Sequence, residues 1–174
     1  MKQGKSMRVK LLSLISVICL FASQSADAYN FLGHTVPNNH YVTTYLYGSV
    51  AQYSGNVSTY SQAWNTHPKV NVVGGTTMNS TIMFMADYSL DNDIYAQAIN
   101  NHNGTFNIKF YKDFVSLPTV QKNETIVHEV GHVLGLAHCD NADNAISVMR
   151  EDGFNNVASP LSDDVAGINA LYVY

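Results

Sequence analysis

The chain predicts an α+β domain, a twisted mixed β-sheet backed by helices, and three observations predict it. Short runs rich in β-branched and aromatic residues recur between Tyr41 and Tyr111, and apolar residues recur at spacings of three and four in two separate places. Gly, Asn and Pro punctuate the gaps between them. The order is strand, helix, several strands, then helices, which describes one sheet layer with helices laid against it. A chain of 174 residues with 46% hydrophobic side chains can bury one core.

The first 28 residues stand outside that domain. Lys2, Lys5, Arg8 and Lys10 make a basic start, residues 11–22 form an apolar run broken only by Ser13 and Ser16, and Ala26-Asp27-Ala28 fits the small-x-small cleavage rule. This is the pattern of a secretory signal peptide, too short and wrongly flanked for a membrane span. It predicts cleavage after Ala28, a domain of residues 29–174, and a secreted, extracellular protein.

The whole chain carries a net charge of −4. Residues 1–28 hold four of its nine basic side chains and one of its thirteen acidic ones, so the remainder is near −7. No basic patch survives, which argues against nucleic acid or an anionic membrane as a main partner. Cys19 leaves with the signal segment and Cys139 stays alone, so the secreted domain has no internal disulfide to form and relies on its core and on metal. The lone thiol reads as a small residue packed behind the site.

Residues 29–39, with Gly33, Pro37 and paired asparagines, read as an extended arm. Tyr41-Val42-Thr43-Thr44-Tyr45-Leu46-Tyr47 is a strand closed by Gly48. Val50, Tyr53, Val57, Tyr60 and Trp64 then mark the apolar stripe of an amphipathic helix, weakened at Gly55 and ended by His67-Pro68. Val70-Asn71-Val72-Val73 is a second strand stopped by Gly74-Gly75, and Thr81-Ile82-Met83-Phe84-Met85-Ala86 a third. Residues 94–98 form an edge strand and Phe106-Asn107-Ile108-Lys109-Phe110-Tyr111 a further one, joined by the hairpin chemistry of Asn100-Asn101-His102-Asn103-Gly104. The next helix is capped by Ser116 or Thr119 with Pro118 in its first turn, and Ile126, Val127, Val130, Val133 and Leu134 give its apolar face. Residues 140–144 are a polar loop. Residues 160–172 form a last helix, capped by Ser159 or Ser162, with Asp163 and Asp164 near its positive end.

One stretch carries chemistry. His128-Glu129-Val130-Gly131-His132-Val133-Leu134-Gly135-Leu136-Ala137-His138 has the spacing H-E-x-x-H-x-x-G-x-x-H. On a helix, His128 and His132 project from one face and both imidazoles can reach one point. Glu129 lies beside that point, able to hydrogen-bond a metal-bound water. Gly135 can adopt positive φ, end the helix and return His138 as a third nitrogen ligand. Three protein ligands leave a fourth position for water, which is a catalytic arrangement. Two histidines and a glutamate on the apolar side of a helix would be costly without such a purpose.

This pattern resembles the metzincin superfamily of zinc peptidases, whose long zinc motif is matched at His128, Glu129, His132, Gly135 and His138. Within it the chain is most similar to the matrixin catalytic domain. Matrixins share H-E-x-G-H-x-L-G-L-x-H, which is residues 128–138 here, and a tail approximated by Leu161-Ser162-Asp163-Asp164-Val165-Ala166-Gly167-Ile168-Asn169-Ala170-Leu171-Tyr172. Ser147-Val148-Met149 falls where the superfamily has its methionine turn. The resemblance implies a metzincin-type zincin fold and a secreted zinc metalloendopeptidase. One catalytic zinc ion would be bound by His128, His132 and His138, with Glu129 as general base and then general acid. It also implies that Met149 packs beneath the metal, that one of Asp163 and Asp164 supports the methionine turn, and that another pairs with a freed amine at Tyr29. Substrate, a protein or peptide, would lie along the edge strand near residues 94–98, and residues 151–157 would wall the pocket beyond the cleaved bond. A monomer is expected.

The chain departs from the family in three ways. Between Ala28 and Tyr41 there is no cysteine and no room for a folded, zinc-blocking propeptide. Cys139 stands where matrixins commonly have serine. The family's structural zinc and calcium loops have no clear counterpart. Asp87, Asp91, Asn92 and Asp93 could offer oxygen ligands to Ca2+, although their spacing is no recognised calcium loop and a solvated turn is the simpler reading. His34, His40, His67 and His102 read as surface or turn residues without a role. A reading from another class, a secreted zinc-stabilised binding or toxin-like protein without proteolysis, is disfavoured by Glu129, because a structural site needs no base.

Overall fold

The computed structural model describes residues 29–36, 41–75, 77–89 and 94–173, so the expected signal segment lies outside the described residues. Five strands, β1 (Tyr41–Leu46), β2 (Asn71–Gly74), β3 (Ile82–Ala86), β4 (Ala96–Asn100) and β5 (Phe106–Phe110), form one sheet in the order β2-β1-β3-β5-β4. The first four strands of that order run parallel, and β4 closes the edge antiparallel to β5. The sheet is therefore mixed, as expected, and its antiparallel edge is the strand nearest the functional helix.

Strand alternation selects the buried face. Val42, Val72, Ile82, Phe84, Ile108 and Phe110 are all fully buried beneath the helices, while Met83 and Lys109 between them are half-buried on the other face. Among the described residues three α-helices follow in chain order, α1 (Ser54–Ser61), α2 (Thr119–Val133) and α3 (Ser162–Leu171). In α2, Ile126, Val127, Val130 and Val133, with Leu134 just beyond, are fully buried, so the predicted apolar face is the observed one.

The helix expected over residues 50–64 is three pieces. Short 3-10 turns at Gly48–Tyr53 and Gln62–Thr66 flank α1. Gly48, Gly55, Asn56 and several serines supply little intrinsic helical preference, so burial alone holds the segment. Its stripe still works: Val50, Val57 and Trp64 are fully buried. Trp64 donates its indole N–H to the Val127 carbonyl at 3.0 Å, which ties this segment to α2.

The expected strand at residues 94–98 is shifted two residues onward. The hairpin is tighter than residues 100–104, with Asn101 N–H donating to the Thr105 carbonyl at 3.0 Å, so pairing runs from Ala96 opposite Phe110 to Asn100 opposite Phe106. The helix caps also differ. Pro118 precedes α2 with no side-chain cap, and Ser116 Oγ instead donates to the Asp113 carbonyl. At α3 the cap residue is Leu161, whose N–H is taken by Asp164 at 2.7 Å, rather than Ser159 or Ser162.

The arm crosses to the far end of α2. Leu32 N–H donates to the Gly135 carbonyl at 2.9 Å and Ala137 N–H to the Asn30 carbonyl at 2.8 Å, an antiparallel bridge centred on Phe31 and Leu136. Gly135 has φ of 102°, and a Cβ there would strike the His34 carbonyl oxygen and lie 2.8 Å from Leu171. Both the turn and the close approach demand glycine. Gly135→Ala should therefore lower unfolding free energy by about 2–4 kcal/mol, summing backbone strain and overpacking. Urea titration of the metal-free protein measures it, and an unchanged midpoint would refute the close approach.

Candidate metal centre

α2 presents His128 and His132 one turn apart with ring centroids 4.6 Å from each other, and the Gly135 turn brings His138 back to 5.2 and 4.8 Å from them. One ligand-capable atom from each ring lies within 4.8 Å of the others. Among the described residues this is the group of three or more metal-ligating side chains.

Hydrogen bonding fixes which nitrogen faces the centre. His128 Nδ1 lies 2.8 Å from the Val148 carbonyl and His132 Nδ1 lies 2.8 Å from the Leu136 carbonyl. A carbonyl only accepts, so both Nδ1 atoms carry the proton, and each neutral ring keeps its Nε2 lone pair free. Burial, reinforced by the neighbouring imidazoles, drives the His128 pKa down to about 3, and burial chiefly drives His132 to about 4. Neither ring needs to lose a proton before it can coordinate a metal at neutral pH.

The donor set fits zinc. His132 Nε2 and His138 Nε2 are 3.2 Å apart, close to the separation of about 3.3 Å that two ligands have on a tetrahedral ion with Zn–N of about 2.0–2.1 Å. Backbone carbonyl partners on the remote ring nitrogens are the outer support usual for metal-bound histidines. Glu129, 5% exposed, has one buried carboxylate oxygen, Oε2, without a hydrogen-bond partner. The other accepts a bond from the backbone of Ala98 on β4, and burial pushes the pKa up to about 8. A buried carboxylate held half-satisfied beside three convergent imidazoles is an arrangement prepared for a cation and a proton.

Met149 is buried below the ligand helix. A Cβ on Gly131 would strike its sulfur and lie 2.9 Å from the Trp64 ring, so glycine lets the methionine turn sit directly against α2. The turn itself is built on Asp164. This buried carboxylate accepts from Ser147 Oγ, from Val148 N–H at 2.9 Å and from the cap amide of α3, while Met149 N–H donates to Ser147 Oγ at 2.9 Å. Burial raises the Asp164 pKa and these bonds oppose the rise. Of the acidic pair, Asp164 thus supports the methionine turn. Tyr29 packs its ring against Gly167 of α3.

The centre opens into a cleft of about 1060 Å³. One side is Ile94, Tyr95 and the β4 edge, and the other is Arg150, Glu151, Asp152, Gly153 and Phe154, which overlaps the wall expected over residues 151–157 at its first four positions. The rings of Tyr95 and Phe154 meet across it at 5.5 Å.

Several contributors were not anticipated. His34 holds Nε2 3.2 Å from the His132 carbonyl and 3.3 Å from that of Val133, so it donates to the end of α2 and is not an idle surface residue. His67 is buried, accepts from Lys69 N–H and donates to Asn169, which corrects its surface reading. His102 sits in the hairpin at φ 58°, as a turn residue, and His40 lies outside the described residues. Gln121 and Glu124 on α2 were missed too, although a carboxylate four residues before His128, amid a buried face, was a readable signal. Asp87 accepts from Ser89 and pairs with Lys109 at 4.0 Å, while Asp91, Asn92 and Asp93 lie outside the described residues. Cys139 is buried, its N–H donates to the Met149 carbonyl at 2.8 Å, and burial pushes its thiol pKa up, which suits a packed residue.

The family model described as Matrixin matches residues 87–173. No curated protein matches. Two solved structures are similar in fold. "Structure of myroilysin" superposes with a TM-score of 0.60 at 14% identity, covering 84% of this chain and 98% of that one. "Crystal structure of myroilysin" gives 0.61 at 16% identity, covering 88% and 97%.

The shifted groups set a pH profile for the metal-free protein. His128 and His132 titrate lower in the fold than their ordinary 6.5, so the stability tied to them is complete above 6.5 and lost as pH falls towards 4 and 3. Glu129 titrates higher in the fold than its ordinary 4.5, so its contribution is complete below 4.5 and lost as pH rises through 8. Below 6.5 the two histidines outweigh the glutamate; above it the glutamate acts alone. Melting temperature in chelator, scanned from about pH 4 to about pH 9, should peak near 6.5, and Glu129→Gln should remove the alkaline decline. A profile that stays level on both sides would contradict the assignment.

Proposed function

The chain belongs to the matrixin family of zinc metalloendopeptidases, and we propose that it is a secreted endopeptidase in which residues 29–174 form the catalytic domain and residues 1–28 a signal removed after Ala28. The observation that carries the mechanism is the pairing of three convergent imidazoles with the buried, half-bonded carboxylate of Glu129. His128, His132 and His138 hold one zinc ion. Zinc bound there supplies a Lewis acid that acidifies a water and polarises the scissile carbonyl.

Glu129 takes the proton from the attacking water and passes it to the departing nitrogen. Burial raises its pKa to about 8, and positive charge beside it would lower that value, so the group can hold a proton as well as take one. The Ala98 amide fixes the direction in which the free oxygen points. Because β4 is the sheet edge, a peptide can extend along it through main-chain hydrogen bonds, with one side chain entering the cleft that Tyr95 and Phe154 help to line. Protein or peptide substrates follow from this groove, and no helix among the described residues is long and apolar enough to cross a membrane. The protein acts as a monomer.

Glu129→Gln should retain zinc and lose about 10²–10⁴-fold in kcat/KM, whereas His132→Ala should lose the metal itself. Metal analysis paired with a broad peptide library separates the two. If wild type binds zinc and cleaves nothing in that library, the protein is a zinc-stabilised binder and the peptidase reading is wrong.

A further inference from the structure

Glu124 is one turn ahead of His128 on α2, 2% exposed, and takes no part in the chemistry described above. Its Oε1 accepts from Asn155 N–H at 2.7 Å and its Oε2 from Val157 N–H at 3.3 Å. Asn156 between them has φ of 58°, which turns both amides towards the same carboxylate. One turn earlier, Gln121 donates to the Asn156 side chain at 3.3 Å. Asn155 in turn accepts from Arg150 at 2.6 Å and donates to the Ser147 carbonyl at 2.6 Å.

Resting on the peptidase reading, we propose that Glu124 is a positioning residue: its buried carboxylate draws residues 155–157 onto α2 and so sets the wall of the substrate pocket and the selectivity of cleavage. Phe154 is adjacent to the anchored Asn155 and faces Tyr95 across the cleft at 5.5 Å. The depth to which Glu124 pulls the two amides therefore fixes how far Phe154 stands from the β4 side. An apolar side chain of similar size would fill the space but leave both loop amides without their acceptor. A buried carboxylate that accepts from two backbone amides, one on each oxygen, is an anchor because both bonds are directional and fix the amides relative to each other. Glu124 touches neither of the carbonyls that orient the ligand rings, those of Val148 and Leu136, and Val148 is held separately by Asp164.

The test compares zinc-loaded wild type with Glu124→Ala, Glu124→Gln and Asn155→Ala. Amide hydrogen exchange is read at residues 155 and 157, and kcat and KM across peptides varied at the residue following the cleaved bond. Glu124→Ala should accelerate exchange at both amides by about tenfold or more and keep zinc and, within about threefold, kcat. It should also raise KM for the best peptide and narrow the spread of kcat/KM across the series by about tenfold. Glu124→Gln should fall between, because its amide oxygen still accepts from one N–H. Asn155→Ala should narrow the same spread by freeing Arg150, and the last two variants decide the matter if Glu124→Ala fails to fold. Wild-type selectivity in the variants overturns the proposal, whether or not exchange changes. Wild type that cleaves no peptide overturns the peptidase reading instead, and exchange then shows separately whether Glu124 anchors the wall.

Discussion

The backbone of Val148 is gripped on both sides of its Cα. Its carbonyl accepts the Nδ1 proton of His128 and its N–H is held by Asp164. An imidazole offers a metal a fixed lone pair only if its other nitrogen has a fixed partner. Here that partner is a backbone group, immobile because a buried carboxylate holds it in place. Asp164 also takes the Ser147 hydroxyl and the first amide of α3, so one side chain joins the methionine turn, the last helix and the first ligand. With its acceptor capacity filled, such a group can remain in the interior without a cation.

α2 serves the site along its whole length. Its first turns hold the pocket wall through Gln121 and Glu124, its middle carries two of the histidines, and its last carbonyls are taken by His34. Glu129 lies on this helix under tension of a different kind: burial and a single amide contact leave its second oxygen unbonded. That state is unfavourable for the fold and useful for proton transfer, the usual relation between stability and function at a reactive centre.

Periodic features were legible from the sequence because they repeat. The buried face of α2, the five strands and the stripe Val50, Val57 and Trp64 all follow from alternation or helical spacing. The three histidines were legible because chemistry imposes their spacing on a helix and one turn. What escaped depended on distant partners. No local pattern announces that His34 reaches the end of α2 across 98 residues, or that Asn155 meets Glu124 across 31. The caps differ for a related reason: Leu161 has no polar side chain to mark it, and its amide is satisfied by Asp164 three residues on, a role additional to the helix dipole and the methionine turn. The two-residue shift of β4 came from the turn, whose geometry local composition leaves open.

The arm from Asn30 to His34 has a temporal consequence. Asn30 donates to the carbonyl of His138, 108 residues later, and the same arm closes the bridge over Gly135 and Ala137. Contacts so distant in sequence form late, because the loop between them must be closed first. On a growing chain the arm emerges long before its partner, and Asp164, which steadies His128, follows later still. The metal site therefore cannot be completed during synthesis until almost the entire domain is available.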